Sequence, residues 1–260
     1  MNILIFGEIG RGKSSFINSF LCDNVDTTSS IPFYLLSASN YFYKIIYSEE
    51  KGAILTVKEH RTDSMLDKAS NRVIRHIAKY GPKNVPSLIF NEREFYEELK
   101  HHQEAKIFEP DQCIYNNIDI LTNNKLLKGI SLYVFNSLYK SISFTNCEME
   151  LIQRSDAIIF LLDATRLCSA SEMESIETLP SEKLFFVVNK MDYIRENERE
   201  RLIEFANMKL SDKTSYAISY VSSFKALEAI AIKDINLYQE SGMPFFISNF
   251  IMNINKLYNK

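Results

Sequence analysis

The chain has 260 residues, of which 46% are hydrophobic, enough to bury a full core as one large domain or as one domain with an insertion. Its 30 basic and 33 acidic residues give a net charge of −3, which gives no reason to expect nucleic-acid binding or long-range attraction to an anionic membrane, although local basic patches remain compatible with it. No leader segment and no run of roughly 20 apolar residues is evident, and the four scattered cysteines are typical of reduced thiols, so we expect a soluble, cytoplasmic protein without direct membrane insertion.

The first elements predict a phosphate-binding loop. Residues 2–6 form an apolar, β-prone run, and residues 14–21 predict a helix with Phe16 and Phe20 on one face. The segment between them fits the pattern G-x-x-x-x-G-K-[ST], which requires a strand before it and a helix after it. Its defining residues are Gly7, Gly12, Lys13 and Ser14. Loop N–H groups, the lysine ammonium and the positive end of the helix would then face one spot, which suits a di- or triphosphate.

The middle of the chain predicts a hairpin followed by a helical insertion. Residues 23–40 are rich in Ser and Thr and indicate a loop or edge segment. Residues 41–47 and 53–58 are β-prone runs joined by Ser-Glu-Glu-Lys-Gly, which is typical of an antiparallel hairpin. Two amphipathic helices are predicted at residues 64–80 and 91–102. We therefore interpret residues 60–112 as an insertion between the second and third core strands of a single domain, packed beside the sheet.

Later apolar runs predict the core of a parallel sheet. The runs cover residues 130–135, 157–163, 183–189 and 216–221. Their hydrophobicity is continuous rather than alternating, and helix-like segments separate them, as expected for buried parallel strands. Residues 244–258 predict a closing helix with one apolar face. The predicted fold class is α/β, with a doubly wound, mostly parallel sheet whose ligand lies beyond the carboxyl ends of the strands.

The segment VVNKMD indicates which base the ligand carries. An Asp192 carboxylate at the end of a strand can accept hydrogen bonds from both N1–H and the exocyclic amine of guanine, whereas adenine offers no matching pair of donors. Lys190 can lay its stem along the base while its head braces the phosphate loop, and Asn189 can tie the strands together. Val221-Ser222-Ser223 follows the next strand, where a backbone N–H would meet the guanine O6.

These motifs resemble the GTPase domain of dynamin-like proteins, most closely the bacterial members. The resemblance rests on GEIGRGKSSFINSFL, SDAIIFLLDATRLCSASE, FFVVNKMD, and YVSSFKALEAI followed by ESGMPFF, in the family's order. It implies a sheet of the phosphate-loop GTPase type, binding of GTP or GDP, and pairing of G domains across the nucleotide face or with another dynamin-like protein. The nucleotide-binding residues that it implies are Gly10, Arg11, Gly12, Lys13, Ser14, Ser15, Asn189, Lys190, Asp192, Ser222 and Ser223. It also implies Mg²⁺ held by Ser14, and catalysis that involves Lys13 and Ser14.

The switch motifs depart from the family pattern. The D-x-x-G motif should follow the strand at residues 130–135, but residues 134–138 read Val-Phe-Asn-Ser-Leu, and no aspartate stands three residues before any of the seven glycines. The switch threonine is replaced by Ser39 in our alignment, with Thr27, Thr28 and Ser37 as alternatives. Because phosphoryl transfer depends on positioning and charge stabilisation, we expect slow or absent hydrolysis and a weak hold on Mg²⁺.

Two charged residues admit more than one interpretation. Asp163 ends the run AIIFLLD and fits the strand-then-Asp pattern that holds magnesium in many ATP-using phosphate-loop enzymes, whereas the resemblance makes it a structural residue. Arg11 could stabilise transition-state charge as an arginine finger in cis, but a solvated loop arginine is the simpler interpretation.

Other polar residues are interpreted as solvent-facing. The helix-spaced residues Glu172, Glu174 and Glu177 are most simply a solvated face. The pair His101-His102 lies on a charged helix with no suitably spaced carboxylate, so it does not indicate a metal site.

Three functional hypotheses follow. The first is a nucleotide-responsive or structural partner of another protein, with degenerate catalysis, because we expect neither the helical stalk nor the lipid-binding tip of full dynamin-like proteins. The second is a working GTPase with an unconventional switch region. The third is an interaction module with a vestigial phosphate loop.

Overall fold

The computed structural model describes residues 1–8, 10–21, 43–57, 63–80, 85–104, 115–134 and 146–258. They divide into a first unit, Met1–Phe33 with Ser137–Lys260, and a second unit, Tyr34–Asn136. The fold class is α/β with mostly parallel strand pairing, which confirms the class predicted from the sequence.

Buried parallel strands form the centre of the first unit. Strand β1 (Asn2–Phe6) pairs with β7 (Ala157–Asp163), β7 with β8 (Leu184–Asn189), and β8 with β9 (Ser219–Tyr220), all in parallel. Every residue of β7 and β8 is buried, which explains their continuous apolar sequences. The bounds of β1, β7 and β8 match their predicted positions within a residue, whereas β9 is shorter than the predicted run at residues 216–221.

The helices of the first unit lie between these strands and after the last one. They are α1 (Lys13–Leu21), α5 (Asn146–Arg154), α6 (Ala170–Glu177), α7 (Glu196–Leu210), α8 (Ser223–Ile232), α9 (Ile235–Glu240) and α10 (Met243–Tyr258). The predicted closing helix is confirmed, with Phe246, Phe250 and Ile254 buried on one face. The side chain of Leu257, predicted on the same face, lies outside the described residues.

An aromatic cluster fixes the helix that follows the phosphate loop. Phe16 and Phe20 of α1 meet Phe246 of α10 at ring-centroid distances of 5.3 and 5.9 Å, and Phe20 meets Phe250 at 6.0 Å. Phe185 of β8 also contacts Phe250, at 4.9 Å. These four helical rings are almost fully buried, so the apolar face of α1 is anchored and the polar start of the helix is held at the end of β1.

The second unit contains a mixed sheet in the order β4-β3-β5-β2-β6. Its strands are β2 (Tyr43–Tyr47), β3 (Gly52–Val57), β4 (Leu88–Asn91), β5 (Tyr115–Thr122) and β6 (Ser131–Val134). The predicted hairpin between residues 41–47 and 53–58 is wrong in its pairing. Strand β5 lies between the two runs, parallel to β2 and antiparallel to β3. The antiparallel edge is present, but β3 forms it with β4.

Three helices accompany this sheet: α2 (Asp63–Asp67), α3 (Asn71–Tyr80) and α4 (Glu92–Glu104). The helix predicted over residues 64–80 is thus divided in two. The segment interpreted as a helical insertion also contributes β4, which the sequence analysis missed because its four residues, LIFN, are too few to show a period. None of the helices in the described part of the chain combines the length and apolarity that a bilayer crossing needs.

Candidate functional site

The phosphate loop joins β1 to α1 and requires glycine at two positions. A Cβ on Gly7 would lie 2.7 Å from the carbonyl oxygen of Leu161 on β7, so only glycine permits that approach. Gly12 has a φ of 83°, and a Cβ there would lie 2.6 Å from the Asn189 amide nitrogen at the end of β8. The loop therefore passes directly against the two central strands.

Lys13 opens α1 and is almost entirely buried. Its ammonium donates hydrogen bonds to the carbonyl oxygens of Gly7 and Glu8, the latter at 2.9 Å. Burial, followed by the nearby Arg11 charge, lowers the pKa of Lys13 from 10.5 to about 7. The ammonium is thus desolvated and held by two carbonyl dipoles, without a full counter-charge of its own.

The remaining phosphate-loop candidates surround this lysine. Ser14 is largely buried in the first turn of α1, Ser15 is half-buried beside it, and Gly10 is exposed with a φ of 84°. The helix ladder begins with a 2.8 Å hydrogen bond from Phe16 N–H to the Gly12 carbonyl. The unpaired N–H groups of this first turn thus lie at the end of the loop.

Arg11 is not a solvated loop residue, and this interpretation is corrected. Its side chain is 7% exposed and lies between two carboxylates: Nη2 is 2.5 Å from Glu8 Oε2, and Nε is 2.9 Å from Glu172 Oε1. Glu172 is fully buried, so the prediction of a solvated face is wrong for it, whereas Glu174 and Glu177 are exposed as predicted. Because Arg11 lies two positions before Lys13 and its charge disfavours the protonated lysine, carboxylates beside Arg11 offset that charge.

The Arg11–Glu172 contact is a charge pair rather than an aligned hydrogen bond. Among the described residues, neither Arg11 Nε nor Glu172 Oε1 has a partner with hydrogen-bond geometry, despite the 2.9 Å separation. The other oxygen of Glu172 accepts from Ser169 N–H and Oγ at 2.9 and 3.0 Å, which closes a capping box at the start of α6. Burial raises the pKa of Glu172, while Ser169 and Arg11 oppose that rise.

Replacing Glu172 by Ala should lower the free energy of unfolding by about 3 kcal/mol, because it leaves Arg11 buried with less counter-charge and removes half of the capping box. Urea denaturation measures the effect. Glu174→Ala, on the same helix but exposed, is the matched control and should change stability by less than about 0.5 kcal/mol. Similar losses in the two variants would contradict a buried role for Glu172.

Asp163 links the end of β7 to the guanine motif. Its Oδ2 accepts from Lys190 Nζ at 2.6 Å, and its Oδ1 accepts from Thr165 N–H at 2.9 Å and Thr165 Oγ1 at 2.7 Å. Burial favours the neutral acid, but these hydrogen bonds outweigh it and lower the pKa of Asp163. Both oxygens are engaged by protein groups, which fits the structural interpretation of Asp163 better than a magnesium ligand.

Lys190 was predicted to contact the phosphate loop through its ammonium. In the structure its stem lies beside the loop, but its ammonium binds Asp163 instead. Its Cε is 3.9 Å from the position of a Cβ on Gly12, whereas its ammonium binds Asp163. The residue has a left-handed backbone, with φ 66° and ψ 34°. The aliphatic stem of Lys190 therefore lies against Gly12 of the loop, and the ion pair with Asp163 fixes the orientation of this side chain.

Asn189 connects the phosphate loop to the last strand of the sheet. Its Nδ2 donates to the carbonyl oxygen of Arg11 at 3.1 Å, and its Oδ1 accepts from Ser223 N–H at 3.0 Å. The predicted tying role of this side chain is thus confirmed by its contacts. One fully buried amide holds together the loop after β1 and the segment after β9.

Asp192 and Ser222 meet at the exposed end of the site. Ser222 Oγ donates to Asp192 Oδ1 at 2.5 Å and accepts from Lys225 N–H at 3.0 Å as the N-cap of α8. Ser223 follows it, and its buried Oγ has no hydrogen-bond partner among the described residues. The structure therefore brings together the two predicted guanine-side segments, with the Asp192 carboxylate exposed.

The predicted switch residues cannot be placed in this site. Ser39 and its alternatives Thr27, Thr28 and Ser37 lie outside the described residues, as do residues 135–138, where D-x-x-G was sought. Within the described ranges, no group of three or more His, Cys, Asp or Glu side chains could hold a metal ion. A divalent cation here would rely on Ser14 and on oxygens brought by a ligand.

Sequence reasoning missed the carboxylates of Glu8 and Glu172 as parts of the site. Ser171 Oγ also donates to Glu8, so the acidic residue of the loop points toward α6. The capping-box spacing from Ser169 to Glu172 was a readable signal for a helix start. It could not reveal that the glutamate also faces Arg11.

The chain has a distant curated relative in sequence. No protein-family model matches the chain. Over 250 residues it is 24% identical to a protein described as uncharacterized, in the xynA 3′ region of Caldicellulosiruptor sp. (strain Rt8B.4), covering 94% of this chain and 54% of that protein. The chain thus spans about half the length of this curated relative.

Solved structures of an oligomerised bacterial dynamin pair, reported to provide a mechanism for the long-range sensing and tethering of membranes, are similar in fold. One matches with a TM-score of 0.64 and 18% identity over 97% of this chain and 37% of the other. A second matches with a TM-score of 0.62 and 17% identity over the whole chain and 45% of the other. The chain therefore shares its fold with part of each of these bacterial dynamin chains.

Proposed function

We propose that this chain binds guanine nucleotides as a dynamin-like G domain with slow or absent GTP hydrolysis. The observation that carries the proposal is the double role of Asn189, which ties the phosphate loop through Arg11 to the segment of Ser223. A loop for phosphates and two segments for a guanine base are thereby joined into one site.

The charges and polar atoms of the site fit a nucleotide. The desolvated ammonium of Lys13 and the first-turn N–H groups of α1 together suit an anion. At the other end, the exposed Asp192 carboxylate suits a pair of donors on the base, and the buried hydroxyl of Ser223 has no hydrogen-bond partner within the described part of the chain. The residues proposed to hold GTP or GDP are those named from the resemblance, except that Arg11 acts by fixing the loop.

Magnesium is proposed to accompany the nucleotide, held by Ser14 and phosphate oxygens. Bound there, it would neutralise phosphate charge. The absence of D-x-x-G from the sequence removes the usual aspartate and glycine from this region, so we propose weak magnesium binding and slow turnover. An active GTPase whose switch region works differently remains the alternative.

We further propose that the chain acts as a regulatory or structural partner of another copy or of a dynamin-like protein, which can bring it to a membrane. Tyr193 and Phe224 are 70% and 65% exposed, and they neighbour Asp192 and Ser222 in the chain. Exposed aromatic residues beside a ligand site are typical of a surface that is covered in a complex. The bacterial dynamins of similar fold are themselves described as an oligomerised pair.

Calorimetric titration with GTP, GDP and ATP, with and without Mg²⁺, tests the proposal. We expect GDP and GTP to bind and ATP to give no heat, because Asp192 has no matching donors on adenine. No heat with any nucleotide would support the vestigial module, and preference for ATP would overturn the base assignment. Turnover equal to that of an intact dynamin-like GTPase, lost in Lys13→Ala, would refute slow hydrolysis.

A further inference from the structure

A basic cleft lies in the second unit, between helix α3 and strand β4. It measures about 300 Å³ and is lined by Arg72, Arg75, His76, Lys79, Leu88 and Ile89. The four basic side chains recur at helical spacing, so they share one face of α3, and the helix contains no acidic residue. The nucleotide site uses none of these residues.

Two of these cations are available for a ligand. Arg72 is committed to the protein, because its guanidinium pairs with Glu94 at 2.7 Å and lies 4.3 Å from the ring of Phe90. In contrast, neither Arg75 nor Lys79 has an acidic partner among the described residues, and Lys79 lies 5.0 Å from the Tyr80 ring. The cleft therefore carries about two uncompensated positive charges, in a chain whose net charge is −3.

Two exposed apolar side chains lie beside these charges. Ile89, which lines the cleft, is 70% exposed, and Tyr80, whose ring centroid is 4.8 Å from that of His76, is 46% exposed. Basic residues beside exposed aliphatic and tyrosine side chains are typical of surfaces that lie on a membrane, where the cations meet anionic headgroups and the apolar groups enter the interface.

The edge of the sheet is less suited to a peptide. Arg72 Nη2 donates to the carbonyl of Ile89 at 3.1 Å, and His76 Nε2 donates to the carbonyl of Pro86 at 2.8 Å. These two carbonyls already accept from α3 side chains, which occupy the space beside them and make them poorer acceptors for an added strand of a partner. The cleft is also at the small end of ligand-pocket volumes, which suits a headgroup better than a chain segment.

From these observations we propose that α3 and β4 form a binding surface for anionic phospholipid headgroups of a membrane. Arg75 and Lys79 attract the lipid phosphates, His76 lines the same cleft, and Tyr80 and Ile89 contact the interface. The proposal is independent of nucleotide binding. It gives this chain a membrane contact of its own, in addition to any contact through a partner.

Vesicle co-sedimentation of the whole chain tests this surface. We expect binding to vesicles of phosphatidylcholine with about 30% phosphatidylserine, and little binding to phosphatidylcholine alone, because each basic residue near an anionic surface contributes about a fivefold gain in affinity. Arg75→Glu combined with Lys79→Glu should reduce binding at least tenfold. Ile89→Ser should reduce it at unchanged charge.

The matched control is Arg201→Glu combined with Lys209→Glu, which makes the same change of charge on exposed positions of α7 in the first unit. This control should bind within about twofold of the parent, and circular dichroism checks that all variants are folded. Equal loss in the control, or no binding to the anionic vesicles, would overturn the proposal. Thermal stabilisation by inorganic phosphate or by polyglutamate without vesicle binding would overturn it as well, in favour of a free anion or an acidic peptide.

Discussion

Replacing Lys13 by Met should abolish binding of GTP and GDP, with a loss of affinity of at least about 100-fold. The Lys13 side chain lies at the phosphate end of the site, and a charge-assisted hydrogen bond from its ammonium to phosphate contributes several times RT. Calorimetry or fluorescence titration with a labelled guanine nucleotide measures the loss. The variant keeps the length and the apolar stem of the lysine, so the packing of α1 should survive.

The same substitution should stabilise the nucleotide-free protein at neutral pH. Burial holds the pKa of Lys13 at about 7 in the folded protein, against 10.5 in a model peptide, so the unfolded chain binds more protons between these values. Stability of the parent must therefore rise with pH over this range, and the burial penalty is largest below about pH 7. Met carries no proton and pays no such penalty.

The advantage of the Met variant should thus shrink by about 1 kcal/mol per pH unit between about pH 7.5 and 9.5. Urea denaturation at a series of pH values measures it. Lys209→Met removes an exposed lysine and serves as the control, for which the difference from the parent should not depend on pH. A pH-independent difference for Lys13→Met would contradict the desolvated ammonium, even if nucleotide binding were lost.

Asp192→Asn should remove the preference for guanine over adenine and weaken GDP binding by about 100-fold or more. A carboxylate accepts from both N1–H and the amine of guanine, whereas a carboxamide presents a donor toward one of them. Xanthosine carries a carbonyl in place of that amine, so its nucleotides should bind the variant better than guanine nucleotides do. Competition titrations with the three bases measure the change.

Asp212→Asn is the control for this variant. Asp212 is exposed and pairs only at 3.4 Å with its neighbour Lys213, so its neutralisation should leave nucleotide affinity unchanged. Retained guanine preference in Asp192→Asn would show that another group reads the base. Ser222 Oγ donates a hydrogen bond to Asp192 Oδ1. The amide oxygen of an asparagine can accept the same hydrogen bond, so the fold around α8 should persist in the variant.

The first unit was predictable because its strands are short, continuous and bounded by motifs. β1 and β7 have the bounds expected from their apolar runs, since burial on both faces accounts for the six consecutive apolar residues before Asp163. The phosphate loop was predictable because its glycines and Lys13 form a motif of fixed spacing between a strand and a helix. Local sequence and tertiary placement agree there.

The second unit was harder to predict because strand pairing is not local. Two β-prone runs joined by Ser-Glu-Glu-Lys-Gly favour a hairpin, yet β5 enters between them from about 60 residues further along the chain. Its sequence, YNNIDILT, alternates polar and apolar residues only in part. The sequence of the connection between two strands thus gives its length, but it does not show whether the two strands pair with each other or with a third strand between them.

Buried charges were the other source of error. Arg11 and Glu172 are separated by 161 positions, and each is most simply solvated when considered alone. Their pairing depends on the position of α6 relative to the phosphate loop. Charge compensation of this kind is visible only after the chain is folded, because no period or motif records it.

The rings that join α1 to α10 give this domain a mechanical linkage. Phe16 and Phe20 interlock with Phe246 and Phe250 in a dense interior that does not deform continuously. A displacement of α10 would therefore be transmitted through these four rings to α1, whose first turn follows the phosphate loop.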